Sequence, residues 1–303
     1  MKILITGATG SIGKRLSRKL IDRGDSVIIL SRDPESARLK IAGAADYLKW
    51  NFEQPEMWEK YLNGQDVIVH LAGINLSSKR WNKEFKEKAY DSRIISTRNL
   101  VEAIESVEQK PKLFICSSAV GYYGNRGEEL LTEDTNPAND YLASLCVDWE
   151  NEAAEVEKLG VRRISVRTGL VLSKNEGLLK KFYFPFKLFV GGPLGNGNQW
   201  FPWIHIDDIV GIYLQAIDNE NIHGPVNAAS PGIIRMKEFA NTFGKVLNRP
   251  SLFPVPEFIL KIVAGELGGH VIDSQKISVE KLLKSGFKFK FKNLEDALID
   301  LLL

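Results

Sequence analysis

The sequence predicts an α/β fold in which helices cover both faces of a mainly parallel sheet, the doubly wound arrangement. Two observations carry this prediction. Short apolar runs alternate with helical patterns along residues 1–170, as in successive β-α-β units. One run, over residues 66–73, is almost unbroken and closes on Ala-Gly; such a run is typical of a strand buried on both faces of a parallel sheet.

The chain opens on a strand, a glycine turn and a helix. An apolar run at residues 2–6 leads to glycines at 7, 10 and 13, and a helical pattern follows as far as Gly24. Glycine admits positive φ and lets backbone N–H groups approach a pyrophosphate. The free N–H groups of a helix N-terminus attract the same phosphates. The turn therefore predicts a dinucleotide site of the Rossmann type, formed by Gly7, Thr9, Gly10, Ser11, Ile12 and Gly13.

The end of the second predicted strand indicates which dinucleotide binds. Residues 26–30 form an apolar run that ends in Ser31, Arg32 and Asp33. An NAD site places an acid near this position, against the ribose 2′-hydroxyl. A guanidinium suits a 2′-phosphate instead, by its charge and forked geometry. Arg32 therefore favours NADP over NAD. The alternative is that Arg32 is a solvated charge and Asp33 recognises the ribose.

A third strand is predicted over residues 46–50. The carboxyl ends of parallel strands line the ligand crevice. Asn51 and Phe52 follow this strand and either meet the adenine or only turn the chain.

The fourth strand, over residues 66–73, ends in small residues. This lets the backbone of Leu71, Ala72 and Gly73 approach the cofactor. His70 in the same strand is interpreted as a packed, hydrogen-bonded side chain and not as a catalyst.

A helix that runs from residue 91, with apolar positions as far as residue 107, precedes a buried fifth strand that starts at residue 112. The end of this strand carries Ser117 and Ser118, followed by Tyr122 and Tyr123. Ligand-side strand ends are where chemistry is placed, although these serines could merely cap backbone groups in a turn. Tyr141 opens the next helix, and residues four apart on a helix are neighbours.

At this point the chain resembles an extended short-chain dehydrogenase/reductase of the nucleotide-sugar epimerase type. More narrowly, it is similar to atypical "epimerase family" proteins that carry an extra C-terminal domain of undefined role. The matching stretches cover nearly the whole length: the glycine turn, 70–73, 80–81 with 91–93, 117–124, 146–150, 167–169 and 199–208. The resemblance implies that Ser118 holds the substrate oxygen and that Tyr141 moves the proton. It also implies dimerisation through the helices at 92–107 and 141–156.

The chain departs from the superfamily at one catalytic position. The resemblance implies a Tyr-x-x-x-Lys pair, but Leu145 stands at the lysine position. A tyrosine without a nearby cation keeps a pKa near 10, which is high for a base at neutral pH. Tyr141 could then act only as an acid, another group (Tyr122, Tyr123, Lys180 or Lys181) could replace the lysine, or the site could sense NADP without turnover.

Residues 182–200 are aromatic and glycine-rich, a pattern too irregular for a plain strand or helix. The resemblance implies that this region covers the substrate, with Gln199, Trp200 and Trp203 binding a ring beside Tyr122 and Tyr123. Downstream, Asp207 is expected to cap a helix over 209–217, and residues 287–291 to form a half-buried edge strand with lysines outward.

Composition limits the function classes. The net charge is only +2 over 303 residues, so no global field favours nucleic acid or an anionic membrane. No metal-ligand spacing is present, and the two cysteines do not suggest a disulfide scaffold. We therefore expect a cytoplasmic protein with no nucleic-acid, membrane or metal partner and a possible homodimer.

Together, these observations predict an NADP-dependent oxidoreductase or epimerase acting on a small hydroxylated or sugar-nucleotide-like substrate. The alternative is a non-catalytic NADP sensor or regulatory protein. The NADP-binding Rossmann domain would span residues 1–170, and a substrate-covering region 171–303, with an appended module from about 249. Elements near 204–229 could return to the first domain.

Overall fold

The computed structural model describes residues 1–174 and 176–303. Its strands are β1 (Lys2–Thr6), β2 (Ser26–Ser31), β3 (Asp46–Lys49), β4 (Val67–His70), β5 (Leu113–Ala119), β6 (Leu130–Leu131), β7 (Arg162–Thr168), β8 (Leu170–Leu172), β9 (Trp200–Phe201), β10 (Trp203–His205), β11 (Gly224–Ala228), β12 (Ile234–Arg235) and β13 (Lys276–Ile277).

The helices are α1 (Ser11–Asp22), α2 (Pro34–Lys40), α3 (Lys83–Asp91), α4 (Ile94–Ser106), α5 (Tyr141–Ala154), α6 (Gly177–Lys187), α7 (Ile206–Asp218), α8 (Met236–Leu247), α9 (Glu257–Ala264), α10 (Leu267–His270), α11 (Glu280–Lys284) and α12 (Leu294–Leu302). Short 3-10 turns lie at Pro55–Met57, Glu59–Leu62, Val120–Tyr123 and Glu155–Leu159.

Seven parallel strands form the central sheet, in the order β11-β7-β5-β4-β1-β2-β3. The chain builds outward from β1 toward β3, then returns to β4 on the other side of β1. This reversal opens a crevice at the carboxyl ends of β1 and β4, where α/β proteins bind ligands. The predicted doubly wound α/β fold is confirmed.

Helices cover both faces of the central sheet. Successive side chains of a strand point to opposite faces, so each central strand contributes to two buried clusters. Ile3 and Ile5 of β1 join one buried cluster, while Leu4 joins the other. α1, α7 and α8 contribute to the first cluster, and α4 and α5 to the second. Each central strand is therefore apolar along most of its length, which explains the unbroken run over residues 66–73.

Three local predictions differ from the structure. Residues 177–187 form α6 even though Pro185 lies inside it, so the aromatic segment is partly helical. The N-cap of α7 is His205 and not Asp207, because the His205 ring accepts from the backbone N–H of Asp207 at 3.1 Å. Residues 287–291 form no strand.

The segment 287–291 still alternates, with Phe289 and Phe291 buried. Its backbone N–H groups donate to a side-chain carboxylate and not to a neighbouring strand. The N–H groups of Lys290 and Phe291 donate to Asp208 at 2.6 and 3.0 Å. A period of two therefore shows which side chains face inward, but not that the backbone pairs with another strand.

The second half of the chain also contributes to the central sheet. Residues 224–228 form β11, which pairs in parallel with β7 and completes one edge. The remaining residues build three two-stranded sheets and the helices from α8 onward. In the part of the chain that the structure describes, no helix is both long and apolar enough to cross a membrane.

Candidate functional site

The glycine turn between β1 and α1 requires its glycines for steric reasons. Gly7 has φ +68, and a Cβ there would lie 2.5 Å from the Leu71 carbonyl carbon. A Cβ on Gly13 would lie 2.5 Å from the Gly7 carbonyl oxygen. Gly10 is the N-cap of α1 and provides no capping side chain. The first N–H groups of α1 therefore remain available to an anion.

Two adjoining cavities lie over this turn. One of about 610 Å³ runs along the ends of β1 to β4, and one of about 240 Å³ runs from the turn toward β8. All eleven predicted cofactor residues line one or both: Gly7, Thr9, Gly10, Ser11, Ile12, Gly13, Arg32, Asn51, Leu71, Ala72 and Gly73. The structure thus brings residues from four strand ends into one crevice.

Arg32 and Asp33 have different roles at this crevice. Arg32 lines the larger cavity and is exposed. Within residues 1–174 and 176–303, no carboxylate lies within salt-bridge distance of its guanidinium. The Asp33 carboxylate caps α2 by accepting from the Ser36 N–H at 3.0 Å. The Arg32 guanidinium is therefore available to a ligand, whereas the Asp33 carboxylate already caps a helix.

Two side chains near the crevice are held by local hydrogen bonds. The Asn51 side chain donates to Gln54 and accepts from the Glu53 N–H, so its amide also shapes the turn. His70 lies 2.7 Å from Thr6 Oγ1 and 3.2 Å from Ser96 Oγ. Burial lowers the His70 pKa to about 3, so this ring is neutral and packed, as expected.

The structure does not bring Ser118 to the crevice. Its hydroxyl is buried and donates to Glu150 at 2.6 Å. Successive side chains of a strand point to opposite faces, so Ser117 faces the smaller cavity and lies 3.1 Å from the Tyr213 hydroxyl. The expected role of Ser118 therefore lacks geometric support, and Ser117 is the hydroxyl at this strand end that reaches the crevice.

Ser118 belongs instead to a buried polar network. Arg167 forms two hydrogen bonds to the Glu150 carboxylate, at 2.9 and 2.8 Å. The Tyr123 hydroxyl accepts from Arg167 and donates to Asn227. Burial raises the Tyr123 pKa to about 12. Tyr123 is therefore a structural residue and not a replacement for the missing lysine.

The other predicted substrate residues are spread over different surroundings. Tyr122 stacks under Arg167 at 3.5 Å, and Trp203 is buried and donates to the Gly232 carbonyl. Gln199 lines a separate cavity of about 540 Å³ with Glu128 and Arg235. Trp200 borders the same residues, because its indole donates to Glu128. Trp203 therefore belongs to the core, whereas Gln199 and Trp200 remain near an open cavity.

The family of the chain follows from comparison with known sequences. The profile of the NAD dependent epimerase/dehydratase family matches residues 3–229. The chain belongs to this family. A second profile, for a domain of unknown function (DUF1731), matches residues 255–301. The resemblance stated from the motifs is confirmed, and this epimerase-family chain carries DUF1731 at its C-terminal end.

Relatives of similar length match along almost the whole chain. The Epimerase family protein SDR39U1 homolog, chloroplastic, of Arabidopsis thaliana is 37% identical over 300 residues, which are 98% of this chain and 86% of that protein. The Epimerase family protein YfhF of Bacillus subtilis (strain 168) is 35% identical over 303 residues, covering 100% and 98% of the two chains.

Solved structures agree with the fold. The crystal structure of human epimerase family protein SDR39U1 (isoform 2) with NADPH is 31% identical, has a TM-score of 0.88 and covers 99% of each chain. UDP-glucuronic acid 4-epimerase from Bacillus cereus, in complex with UDP-glucuronic acid and NAD, is 18% identical with a TM-score of 0.79, covering 98% of this chain and 96% of that one. The latter likeness concerns the fold alone.

In this epimerase-family chain, Tyr141 lies at the start of α5 without the usual lysine. Leu145 is 2% exposed and packs in the core. The Tyr141 hydroxyl donates to the Lys86 carbonyl at 3.1 Å, and its ring lies 5.4 Å from that of Trp81. Burial raises the Tyr141 pKa. Lys180 and Lys181 are exposed on α6. A raised pKa makes a tyrosine a poorer base, because less of its phenolate form is present at neutral pH.

Arg93 is a candidate functional residue to which the sequence motifs assigned no role. Its guanidinium donates to the carbonyls of Ile74 and Ala89, at 2.9 and 3.1 Å. The Arg93 guanidinium also lies 5.2 Å from the ring of Trp149. Trp149 belongs to α5, the helix that begins at Tyr141. Burial lowers the Arg93 pKa, and Arg93 in turn acts to lower that of Tyr141. Among the described residues it forms no ion pair within 4.0 Å.

Removing the Arg93 charge is expected to raise the pKa of Tyr141 further, because a nearby cation stabilises the phenolate. Tyrosine labelled at Cζ would report this pKa by NMR titration of Arg93→Met, with Tyr141→Phe to assign the signal. Arg98→Met on α4 is the matched control, since Arg98 is exposed and paired with Glu152. An unchanged Tyr141 titration in Arg93→Met would exclude the electrostatic coupling.

The DUF1731 segment lies against the surroundings of Tyr141. Lys86 forms an ion pair with Glu266, and the His270 ring lies 5.9 Å from that of Trp81. A hydrogen bond to Asp273 at 3.0 Å raises the His270 pKa. α10 and the residue before it therefore lie next to Lys86 and Trp81, the two residues that contact Tyr141.

Proposed function

We propose that this protein binds NADPH in the crevice and transfers hydride between the cofactor and a small hydroxylated or sugar-nucleotide-like substrate, as an oxidoreductase or epimerase. The observation that carries the proposal is the exposed guanidinium of Arg32 at the crevice, which has no ion-pair partner among the described residues, beside an Asp33 carboxylate that caps α2. The NADPH bound by the human relative supports the choice of cofactor.

Different residues of the crevice would bind different parts of NADPH. The glycine turn and the N-terminus of α1 would hold the pyrophosphate, and Arg32 would pair with the 2′-phosphate. Asn51 and Phe52 would border the adenine. The nicotinamide supplies the hydride chemistry when the cofactor is bound.

Ser117 and Tyr141 would serve the reacting oxygen. When a carbonyl is reduced, its carbon gains the hydride and its oxygen gains the Tyr141 hydroxyl proton, which leaves an alcohol. A tyrosine with a high pKa is better suited to donating a proton during carbonyl reduction than to abstracting one from an alcohol. Arg93 would stabilise the phenolate that remains until solvent reprotonates it.

Arg32→Ala is expected to weaken NADPH binding about 10- to 100-fold, because a hydrogen bond to a charged group contributes about 1.5–3 kcal/mol. NADH binding should be unchanged, since NADH lacks the 2′-phosphate. Isothermal titration calorimetry with both cofactors measures this difference.

Arg38→Ala on α2 is the matched control, since Arg38 stacks on Tyr47 and does not line the crevice. Equal losses for both cofactors in Arg32→Ala would reject the phosphate contact. Binding of neither cofactor to the unmodified protein would reject the function itself.

A second candidate is an NADP-binding sensor or regulatory protein without turnover. It is favoured by the buried Leu145 and by the Tyr141 hydroxyl, which is hydrogen-bonded to a carbonyl. A panel of nucleotide sugars and small hydroxylated ketones, monitored by the loss of NADPH absorbance, separates the two. Turnover that falls in Tyr141→Phe at unchanged NADPH affinity supports the enzyme; binding without turnover across the panel supports the sensor.

A further inference from the structure

An exposed apolar surface lies outside the lining of the two crevice cavities. It comprises the end of α6 with the loop after it, the segment before α9, and α9 itself. Its members are 44–71% exposed: Tyr183, Phe184, Leu188, Phe189, Val190, Leu252, Phe253, Phe258, Ile262 and Val263. Exposed apolar residues that are scattered singly are ordinary, whereas contiguous patches mark interaction sites. We refer to these ten residues as the apolar face.

Backbone hydrogen bonds join the parts of this face. The N–H groups of Leu252 and Phe253 donate to the Gly191 carbonyl, at 3.1 and 3.2 Å. The Arg249 guanidinium lies 4.5 Å from the Phe189 ring. α9 begins shortly afterwards, and none of its residues is buried. α9 contacts α10, but Phe258, Ile262 and Val263 remain 62–71% exposed.

Phe189 ends α6 in the left-handed conformation that often terminates a helix. Its φ is +63, and the N–H groups of Phe189 and Val190 donate to the carbonyls of Phe186 and Pro185, both at 3.0 Å, which is the Schellman pattern. This turn leaves the Phe189 ring 54% exposed.

The two chain segments that carry the face are basic. Residues 177–190 and 249–264 contain five basic side chains and a single acidic one: Lys180, Lys181, Lys187, Arg249 and Lys261 against Glu257. Glu257 is already paired with Lys261 at 2.7 Å. These two segments carry +4, whereas the whole chain carries +2. The low overall charge, on which the expectation of no membrane partner rested, conceals this local excess.

We propose that the apolar face docks on the surface of an anionic phospholipid bilayer. The aromatic and aliphatic side chains would enter the boundary between headgroups and acyl chains, and the lysines would contact the phosphates. A second copy of this chain fits less well, because a twofold interface would place the same basic segments against each other. The proposal goes beyond hydride transfer and does not depend on cofactor binding.

Sedimentation of the 303-residue protein with vesicles tests this docking. We expect binding to phosphatidylcholine vesicles that contain phosphatidylglycerol, weaker binding at high salt, and little binding to phosphatidylcholine alone. A triple variant, Lys180→Gln with Lys181→Gln and Lys187→Gln, should lower the partition coefficient roughly 100-fold, at about fivefold per cation. Phe184→Ser with Ile262→Ser should lower it by at least about tenfold.

Matched substitutions elsewhere control for charge and hydrophobicity. Lys83→Gln, Lys284→Gln and Leu39→Ser alter exposed residues on α3, α11 and α2 and should leave vesicle binding unchanged. Circular dichroism checks that each variant is folded. The proposal is overturned by the absence of binding to the anionic vesicles at low salt, by equal binding to both lipids, or by variants that bind normally. A dimer that Phe184→Ser with Ile262→Ser dissociates in analytical ultracentrifugation would assign the face to a second copy.

Discussion

Glu150→Gln is expected to lower the free energy of unfolding by about 3–5 kcal/mol, the usual cost of breaking a buried ion pair. Glu150 lies in the interior on α5, and both carboxylate oxygens accept from Arg167, which is 3% exposed. Glutamine keeps the size of the side chain but leaves the guanidinium without a compensating charge. Ser118 also loses an ionised acceptor. Urea denaturation followed by circular dichroism measures the loss.

Glu152→Gln provides a control on the same helix. Glu152 also pairs with an arginine, Arg98, but 47% of the Arg98 side chain is exposed. An exposed pair contributes only about 0.2–1 kcal/mol. A similar loss in both variants would mean that burial does not determine the contribution of the Glu150–Arg167 pair.

Gly13→Ala is expected to weaken NADPH binding roughly 10- to 100-fold, since overpacking of this size costs about 1–3 kcal/mol. The added Cβ would lie 2.5 Å from the Gly7 carbonyl oxygen and 2.7 Å from Ala8 Cα. Both atoms are backbone, so relief requires the turn itself to move. The N–H groups of the turn then no longer converge on the pyrophosphate. Calorimetric titration with NADPH gives the change in Kd.

Gly211→Ala on α7 is the matched control. Its added Cβ would lie 3.2 Å from the Phe287 ring, a side chain that can rotate away. We expect normal NADPH affinity in Gly211→Ala. NADPH binding by Gly13→Ala that is as tight as that of the unmodified protein would show that NADPH affinity does not depend on the close packing of the glycine turn.

Local patterns predicted the elements that form the cofactor crevice. Glycines at 7, 10 and 13 between a strand and a helix predict a tight turn of the phosphate-binding type. Steric limits within the turn itself require them, whatever the rest of the chain does. Arg32 follows a strand whose burial is evident from its composition. For these residues, chain order alone places them at one edge of a parallel sheet.

Other positions depended on contacts that no local pattern contains. Ser117 and Ser118 are adjacent, and a register of one residue decides which of them reaches the crevice. The phenylalanines at 287, 289 and 291 alternate like a strand, but the Asp208 carboxylate receives the backbone N–H groups of Lys290 and Phe291. Trp203 was expected beside the substrate and instead donates to Gly232 in the core.

The sequence by itself determined the doubly wound fold and the residues around the glycine turn, because these follow from periodicity and backbone sterics over short stretches. Its motifs also resembled the family that the profile match confirmed. Only the tertiary structure showed Arg93 beside the helix that Tyr141 begins, the Ser118–Glu150–Arg167 network, and the apolar face joined from α6 and α9. Each of these brings together residues that lie far apart in the chain. Distance and burial decide which charges are paired and which apolar side chains are covered, and both arise only when the chain has folded.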